Sequence, residues 1–328
     1  MISVLMSKHV YAEFEPRIQA ILKETGAEVK FELVEPEAVP VSGPQVDAAF
    51  LTLDIRHSAE GLKRFIERIS APGFKWVHFP GSGVSQHKWL PPLMSRGVRV
   101  TTSTGANAES VAVTALTGML MLARRAAAWI DDRHTGQWNT WSEPEAPADL
   151  AGQTVVVVGV GAIGGRFARF AKMLGMKVIG VRRSPRRDDD AADSIVPPAE
   201  LPRLLPQCDW LVLTCPLTDD TFHMVNAAAL ARMKKSAHVI NVARGEVVDD
   251  SALIPALQEN RIAGAYLDVF PQEPPAADSP VWKLPNLILS PHIAALSSGN
   301  QWRATEIFMH NMARFSSGEA LVNEVPRG

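Results

Sequence analysis

Three polar residues that could move a proton and hold an anion follow three successive predicted strands in the second half of the chain. They are Arg244, Glu273 and His292. An arginine can hold a carboxylate through two parallel hydrogen bonds, and a histidine paired with a carboxylate can give and take a proton near neutral pH. Taken singly, each residue has a plainer interpretation: a surface arginine, a helix-capping glutamate and a core histidine.

A glycine motif in the middle of the chain supplies the setting for these residues. The β-branched run at 154–158 predicts a buried parallel strand, and Gly159, Gly161 and Gly164 then give G-x-G-x-x-G at the start of a helical pattern. A second apolar strand is predicted at 177–181, which completes a βαβ unit of the kind that binds a dinucleotide pyrophosphate at the helix N-terminus. On such a scaffold the three polar residues favour hydride transfer coupled to proton transfer.

The end of the second strand predicts which dinucleotide is bound. NAD sites place a carboxylate about 20 residues past the glycine motif, where it bonds the ribose 2′-hydroxyl. Here the chain has Arg182, Arg183 and Ser184, with no acid until Asp188. A 2′-phosphate would be attracted by these groups, so we expect NADP(H) to be preferred over NAD(H). The alternative is that these arginines are solvated loop charges.

Alternating strand and helix patterns run through the chain and predict an α/β protein with parallel doubly wound sheets. In the first hundred residues, strands are predicted at 2–6, 29–34, 48–53, 76–79 and 98–101, and helices at 16–24 and 60–70. Further on, helices are predicted at 108–125, 250–259 and 299–315, and strands at 210–214, 237–242, 263–268 and 287–289. A Trp-rich segment at 133–141 is interpreted as a loop.

The loop at 79–84 follows a predicted strand directly, at the position where open α/β sheets bind ligands. A plain glycine turn explains it equally well.

Composition excludes several classes of protein. The chain has 328 residues, 46% hydrophobic and 21% charged, with a net charge of -2, which is typical of a globular protein and argues against a nucleic-acid-binding surface. No signal-peptide pattern and no membrane-length apolar run is visible, and Cys208 and Cys215 read as reduced cysteines. We therefore expect a cytoplasmic protein without membrane partners, and no Cys/His cluster predicts a metal site.

Several motifs, taken in order along the chain, resemble those of the D-isomer-specific 2-hydroxyacid dehydrogenases, in a pattern similar to NADPH-dependent glyoxylate and hydroxypyruvate reductases. The motifs lie at 107–112, 159–164, 215–221, 240–245, 267–274, 290–295 and 318–325. The resemblance implies two α/β domains: a Rossmann cofactor domain at 102–293, inserted into a flavodoxin-like substrate domain at 1–101 plus 294–328.

The resemblance also implies roles for individual residues. Arg244 would bind the substrate carboxylate and polarise the 2-oxo group, His292 would be the general acid and base, and Glu273 would orient His292. The substrate carboxylate would also be bound by Ser82, Gly83 and Val84. The cofactor site would comprise Gly159, Gly161, Ala162, Ile163, Gly164, Arg182, Arg183, Ser184, Cys215, Pro216, Thr221, Val242, Ala243, Asp268, His292 and Ala294.

Family members form homodimers through the cofactor domain, and we expect a dimer in which Trp138 or Trp141 is buried by the partner. The alternative is that both tryptophans pack on their own domain. The expected activity is reduction of a small 2-oxo acid. A phosphite- or formate-dehydrogenase-like enzyme is an alternative, although Glu273 speaks against the formate branch, which typically has glutamine there. A cofactor-sensing, corepressor-like binding protein is the second alternative.

Overall fold

The computed structural model describes residues 1–81, 84, 87–140 and 146–326. The chain divides into two compact units: Met1–Asn107 with Ser297–Gly328, and Ala108–Leu296. The sequence places these boundaries at 101 and 294.

Strands and helices alternate through most of the described residues. The strands are β1 Ile2–Ser7, β2 Val29–Val34, β3 Ala48–Phe50, β4 Trp76–Phe79, β5 Arg99–Thr102, β6 Thr154–Val158, β7 Lys177–Val181, β8 Ser194–Val196, β9 Trp210–Leu213, β10 His238–Asn241, β11 Gly264–Leu267 and β12 Leu287–Leu289. The α-helices are α1 Lys8–Thr25, α2 Leu53–His57, α3 Ala59–Ile69, α4 Leu90–Ser95, α5 Ala108–Ala123, α6 Ala126–Thr135, α7 Ala162–Met173, α8 Leu201–Leu204, α9 Ala227–Leu230, α10 Asp250–Gln258 and α11 Asn300–Ser317.

The first unit is built on a parallel five-stranded sheet in the order β2-β1-β3-β4-β5. This is the flavodoxin-like order. Helix α11 returns from the end of the chain to this unit, where Phe308 stacks on Phe50 and Trp76 with ring centroids 4.9 and 5.1 Å apart. Both ends of the chain therefore contribute to one hydrophobic core.

The second unit is built on a parallel seven-stranded sheet in the order β12-β11-β10-β9-β6-β7-β8. If β6 is counted as the first strand, this is the Rossmann order. The chain adds strands outward on one side of β6 up to β8 and then crosses to the other side with β9, so the order of connection switches between β6 and β9. Apolar side chains from both faces of this sheet are buried, including Val155, Val157, Leu211 and Ile240. The carboxyl ends of β6 and β9 are thus the place in this unit where a dinucleotide is expected to bind. The fold class predicted from the sequence is confirmed.

Three local predictions are wrong. Helix α1 begins at Lys8 and not at residue 16, because the Ser7 hydroxyl caps it by accepting the His9 and Val10 N–H groups, and Pro16 lies inside the helix. Strand β3 ends at Phe50, and Leu53 already starts α2. Residues 133–135, which the sequence assigns to a loop, form the last turn of helix α6, and this helix ends at Gly136 with φ 67°.

Among the described residues, no single helix is long and apolar enough to cross a membrane. Only α5 and α6 taken together meet the criteria of length and composition, and they are bent by 66° relative to each other.

Candidate active site

The glycine motif forms a tight turn between β6 and α7. Gly159 has φ 94°, and a Cβ built there would lie 2.6 Å from the Cys215 nitrogen. A Cβ at Gly164 would lie 2.3 Å from the Gly159 carbonyl oxygen. Both positions therefore require glycine, one for its backbone conformation and close contact with the next strand end, and the other so that the helix can approach the strand.

The N-terminus of α7 is open to a ligand. A Cβ built at Gly161 meets no atom within 4 Å, and no side chain caps the helix there. The first turn, which begins with Ala162 and Ile163, carries the free N–H groups and positive dipole that bind phosphate. This open cradle fits the pyrophosphate of a dinucleotide.

The neighbouring strand end, after β9, holds the three other residues predicted on this side of the site. Cys215 is buried against Gly159, and burial raises the pKa of its thiol to about 11, so it stays protonated. Pro216 is exposed, and its carbonyl accepts the Thr221 hydroxyl at 2.7 Å. Thr221 therefore closes the turn that follows Cys215.

The loop after β7 holds Arg182 in a way that the sequence does not indicate. Arg182 and Asp190 form a bidentate ion pair with N–O distances of 2.7 and 2.6 Å, and their side chains are only 9% and 8% exposed. The remaining guanidinium N–H groups donate to the carbonyls of Ser184, Val160 and Pro185. A guanidinium has five N–H donors, and all five are used here. In this arrangement Arg182 therefore has no donor left for the 2′-phosphate that the sequence predicts it to bind.

Arg183 has different surroundings. Among the residues that the structure describes, Arg183 forms an ion pair with Asp220 at 2.6 Å, and the two side chains are 71% and 77% exposed. An exposed ion pair of this kind is weak, so another anion can readily replace Asp220 as the partner of Arg183. Of the three residues that the sequence predicts to meet a 2′-phosphate, Arg183 and the exposed Ser184 thus remain available.

His292 and Glu273 form the central contact of the candidate site. Nδ1 of His292 lies 2.7 Å from Oε2 of Glu273, and the other carboxylate oxygen accepts the Phe270 N–H at 3.0 Å. Burial alone would raise the pKa of Glu273, but these hydrogen bonds and the charges of His292 and Arg244 together lower it below its usual value. The carboxylate therefore stays ionised and orients the imidazole, which leaves Nε2 as the nitrogen that can face a substrate.

Arg244 is held beside this pair by its neighbours in the chain. The buried Asn241 side chain donates to the Arg244 carbonyl at 2.9 Å and accepts the Ala243 N–H at 3.0 Å. A Cβ on Gly245 would lie 2.0 Å from the Phe270 carbonyl carbon. Because only glycine permits this approach, the Arg244 segment packs directly against the segment that carries Glu273.

Asp268 organises the loop that carries His292. Its buried carboxylate accepts the Ser290 hydroxyl at 2.5 Å and the N–H groups of Ile293 and Ala294 at 2.9 and 3.0 Å. The Asp268 carbonyl accepts the His292 N–H at 2.8 Å, and His292 has φ 53°. A non-glycine residue in this left-handed region is strained, and these hydrogen bonds hold it there.

The remaining predicted residues fall in both units. Val242, Ala243 and Ala294 are buried at the ends of their segments in the second unit. In the first unit, Val84 is half-buried and packs against the sheet's core, whereas Ser82 and Gly83 lie outside the described residues. Among the residues that the structure describes, no group of three or more His, Cys, Asp or Glu side chains could hold a metal ion.

Four residues that support the site are absent from the sequence prediction: Asn241, Gly245, Ser290 and Asp190. Asn241, Gly245 and Ser290 lie inside the family motifs at 240–245 and 290–295. Their position, as polar or glycine residues at the end of a predicted strand, is the sequence feature that could indicate them. Asp190 gives no such signal, because its partner is eight residues away across a turn.

Comparison with known proteins identifies the family. Residues 116–294 match the model of the D-isomer specific 2-hydroxyacid dehydrogenase, NAD binding domain. The chain belongs to the D-isomer-specific 2-hydroxyacid dehydrogenase family. It is 39% identical over 234 residues to the glyoxylate reductase of Korarchaeum cryptofilum, which covers 70% of each chain, and 35% identical over 263 residues to that of Thermofilum pendens, which covers 78% and 76%.

A solved structure of this family extends the similarity over the whole chain. The D-isomer specific 2-hydroxyacid dehydrogenase from Xanthobacter autotrophicus Py2, in complex with NADPH and MES, has a TM-score of 0.70 and 27% identity, and the match covers 99% of this chain and 98% of that chain. The present 2-hydroxyacid dehydrogenase is therefore an oxidoreductase that transfers a hydride between a nicotinamide cofactor and a 2-oxo or 2-hydroxy acid. Its second unit contains the NAD(P)-binding domain.

Proposed function

We propose that this enzyme reduces small 2-oxo acids such as glyoxylate and hydroxypyruvate, with NADP(H) preferred over NAD(H). The observation that carries the proposal is the 2.7 Å contact between His292 and Glu273, at the carboxyl edge of a Rossmann sheet and with the Arg244 charge acting on Glu273. Relatives named glyoxylate reductase support the substrate class.

His292 is the proposed general acid. A bound nicotinamide would supply a hydride to the 2-oxo carbon. His292 would give its Nε2 proton to the oxygen that becomes the hydroxyl. Glu273 accepts a hydrogen bond from Nδ1 and stabilises the protonated imidazole before the transfer. In the reverse direction the neutral imidazole takes the hydroxyl proton.

Arg244 is the proposed substrate clamp. Its planar guanidinium can hold a carboxylate with two parallel bonds and can also polarise the neighbouring 2-oxo group. Nη1 of Arg244 donates to the Ala243 carbonyl at 2.6 Å, and this hydrogen bond anchors the side chain. The residue is nevertheless exposed, so the guanidinium can reach a substrate. The backbone at Ser82, Gly83 and Val84 is proposed as the second carboxylate contact.

The two domains have separate proposed roles. Residues 1–101 plus 294–328 would form the substrate domain, and 102–293 the dinucleotide-binding domain. The remaining cofactor contacts are proposed for Cys215, Pro216, Thr221, Val242, Ala243, Asp268 and Ala294, with the buried members contributing their backbone.

The proposed preference for NADP(H) rests on the end of β7. Arg182 stands where a carboxylate would bond the ribose of NAD, and the exposed Arg183 and Ser184 follow it. A carboxylate would repel a 2′-phosphate, whereas a charge-assisted hydrogen bond contributes about 1.5–3 kcal/mol, which is about 10-fold to 100-fold in affinity. Arg183 is the proposed charge contact, with Arg182 as its structural support.

Steady-state kinetics of Arg183→Ala tests the cofactor preference. The ratio of kcat/KM for NADPH to that for NADH should fall by about 10-fold or more, and raised salt should lower the ratio in the unmodified enzyme. Arg203→Ala, which removes an 80% exposed arginine of the same unit, is the matched control and should leave the ratio unchanged. Equal kcat/KM for the two cofactors in the unmodified enzyme would refute the preference.

A homodimer through the cofactor domain is also proposed. Helices α5 and α6 expose Val113, Leu120, Trp129 and Ile130, and Trp138 is 94% exposed just beyond them. Exposed apolar side chains in one region favour an interface. Trp141 lies outside the described residues, and the cytoplasmic location stays a prediction. Sedimentation of a stable, active monomer at assay concentration would contradict the dimer.

A panel of substrates tests the reaction itself. Glyoxylate, hydroxypyruvate and pyruvate are offered with NADPH, and phosphite and formate are offered with NADP⁺. Turnover is expected with the first group. Oxidation of phosphite or formate alone would favour the phosphite- or formate-dehydrogenase-like alternative, and binding of cofactor without any turnover would favour a sensor.

A further inference from the structure

An internal ion pair closes the loop that follows β7. The two oxygens of the Asp190 carboxylate bind the two terminal nitrogens of Arg182, and one of them also accepts the Arg187 N–H at 2.7 Å. The hydrogen bond from Arg182 outweighs burial and lowers the pKa of Asp190, so this carboxylate stays ionised. The pair therefore joins the beginning, the middle and the end of the loop.

The same guanidinium connects the loop to the glycine turn. Nη1 of Arg182 donates to the carbonyl of Val160, which lies between the first two glycines of the motif, at 3.2 Å. Val160 and Ala192 are buried, and a Cβ built at Gly180 would lie 2.5 Å from a Val160 methyl carbon and 3.5 Å from the Ala192 Cβ. The loop that carries Arg183 and Ser184 is thus fixed relative to the cradle for the pyrophosphate.

Burial distinguishes this pair from its neighbour. Arg182 and Asp190 are 9% and 8% exposed, while Arg183 and Asp220 are 71% and 77% exposed. A bidentate pair whose side chains are this little exposed fixes geometry, because removing one partner leaves the other charge uncompensated. An exposed pair can exchange its partner.

We propose that Asp190 is a positioning residue that determines cofactor specificity: it locks Arg182 and thereby holds Arg183 and Ser184 where they meet the 2′-phosphate of NADP(H). The inference rests on the proposed preference for that cofactor. It assigns the selective contact to Arg183. To Asp190, although an acid, it assigns a role that favours binding of the phosphate.

The opposite role for Asp190 makes a different prediction. If its negative charge only opposed the phosphate, then removing that charge would strengthen binding of a 2′-phosphate. If Asp190 positions the loop, then removing the charge weakens binding, because the freed Arg182 no longer holds Arg183 in place. The sign of the change therefore separates the two roles.

Calorimetric titration with two fragments of the cofactor is the test, because it needs no turnover. Adenosine 2′,5′-bisphosphate carries the 2′-phosphate and 5′-AMP lacks it. In Asp190→Asn, affinity for the bisphosphate should fall by about tenfold, the loss of one charge-assisted contact, while affinity for 5′-AMP changes little. Asp189→Asn removes the same charge from an exposed neighbour and should leave both affinities unchanged.

A second variant guards against a folding defect. Arg182→Lys keeps the positive charge but loses the fork, and it should cause the same selective loss, with the thermal midpoint measured for every variant. The proposal is overturned if Asp190→Asn binds the bisphosphate as tightly as the unmodified enzyme or more tightly, or if both fragments weaken equally. If the unmodified enzyme does not distinguish the fragments, the proposed cofactor preference fails first, and the role of Asp190 with it.

Discussion

Nδ1 of His292 lies 2.7 Å from a carboxylate oxygen of Glu273, although the two residues follow different strands and are 19 positions apart. Two backbone contacts fix their separation: the Phe270 N–H binds Glu273, and the Asp268 carbonyl binds the His292 N–H. The proposed proton-transfer pair is therefore positioned by the ends of β11 and β12.

Removal of His292, the proposed general acid, should abolish most of the activity. His292→Ala is expected to lower kcat by about 10²-fold to 10⁴-fold, the usual contribution of general acid catalysis, while the dissociation constant for NADPH stays close to normal because the phosphate cradle is elsewhere. His134→Ala, on the surface helix α6, is the control. Near-normal turnover of His292→Ala would eliminate the proposed role.

The charge of Glu273 should set the pH range of reduction. Because its pKa is lowered, Glu273 is ionised throughout the range in which an imidazole titrates, and it stabilises the protonated histidine there. In Glu273→Gln that ionic partner is lost, so the fall in kcat/KM with rising pH should occur at lower pH than in the unmodified enzyme. A pH profile that keeps its midpoint would contradict the pairing.

The fork of Arg244 should matter as well as its charge. Arg244→Lys keeps the charge and loses the bidentate geometry, so both a higher KM for the 2-oxo acid and a lower kcat are expected, because carbonyl polarisation suffers too. The KM for NADPH should change little. A variant in which only the KM for the cofactor rises would show that Arg244 is not the substrate clamp.

Asp268 should stabilise the His292 loop. In Asp268→Asn, the Ser290 hydroxyl and the N–H groups of Ile293 and Ala294 lose their charged acceptor, and an amide N–H₂ faces some of them. The free energy of unfolding should fall by about 1–3 kcal/mol. For a unit of this size, such a loss lowers the thermal midpoint by roughly 2–10 °C. A lower kcat is also expected, because His292 is displaced. Asp278→Asn, an exposed neighbour, is the control, and an unchanged midpoint in Asp268→Asn would refute this role.

Much of the Rossmann unit could be predicted because its signals are local. The β-branched run of β6 and the short apolar run of β7 have the predicted bounds. Short continuous apolar runs of this kind are typical of buried parallel strands. The predicted helix at 16–24 covers only the second half of α1, because the cap that starts the helix is supplied by Ser7. Helix α6 was missed because its sequence carries weak helical periodicity.

The parts of the site that could not be predicted depend on contacts that no sequence periodicity encodes. The approach of Gly245 to Phe270 joins two segments 25 residues apart, and no periodicity encodes it. Arg182 looked available for a phosphate because nothing in the sequence indicates that Asp190 folds back onto it. Residue types at strand ends identify candidates, and the turns between them decide which donors remain free.

The configuration of the product tests the proposed reaction most directly. The enzyme is incubated with hydroxypyruvate and NADPH, and the glycerate formed is quantified and resolved into its two isomers, with His292→Ala measured in parallel. We expect D-glycerate in amounts equal to the NADPH oxidised, and almost none from His292→Ala. Formation of the L-isomer, or equal amounts of product from His292→Ala, would contradict hydride and proton delivery at this site.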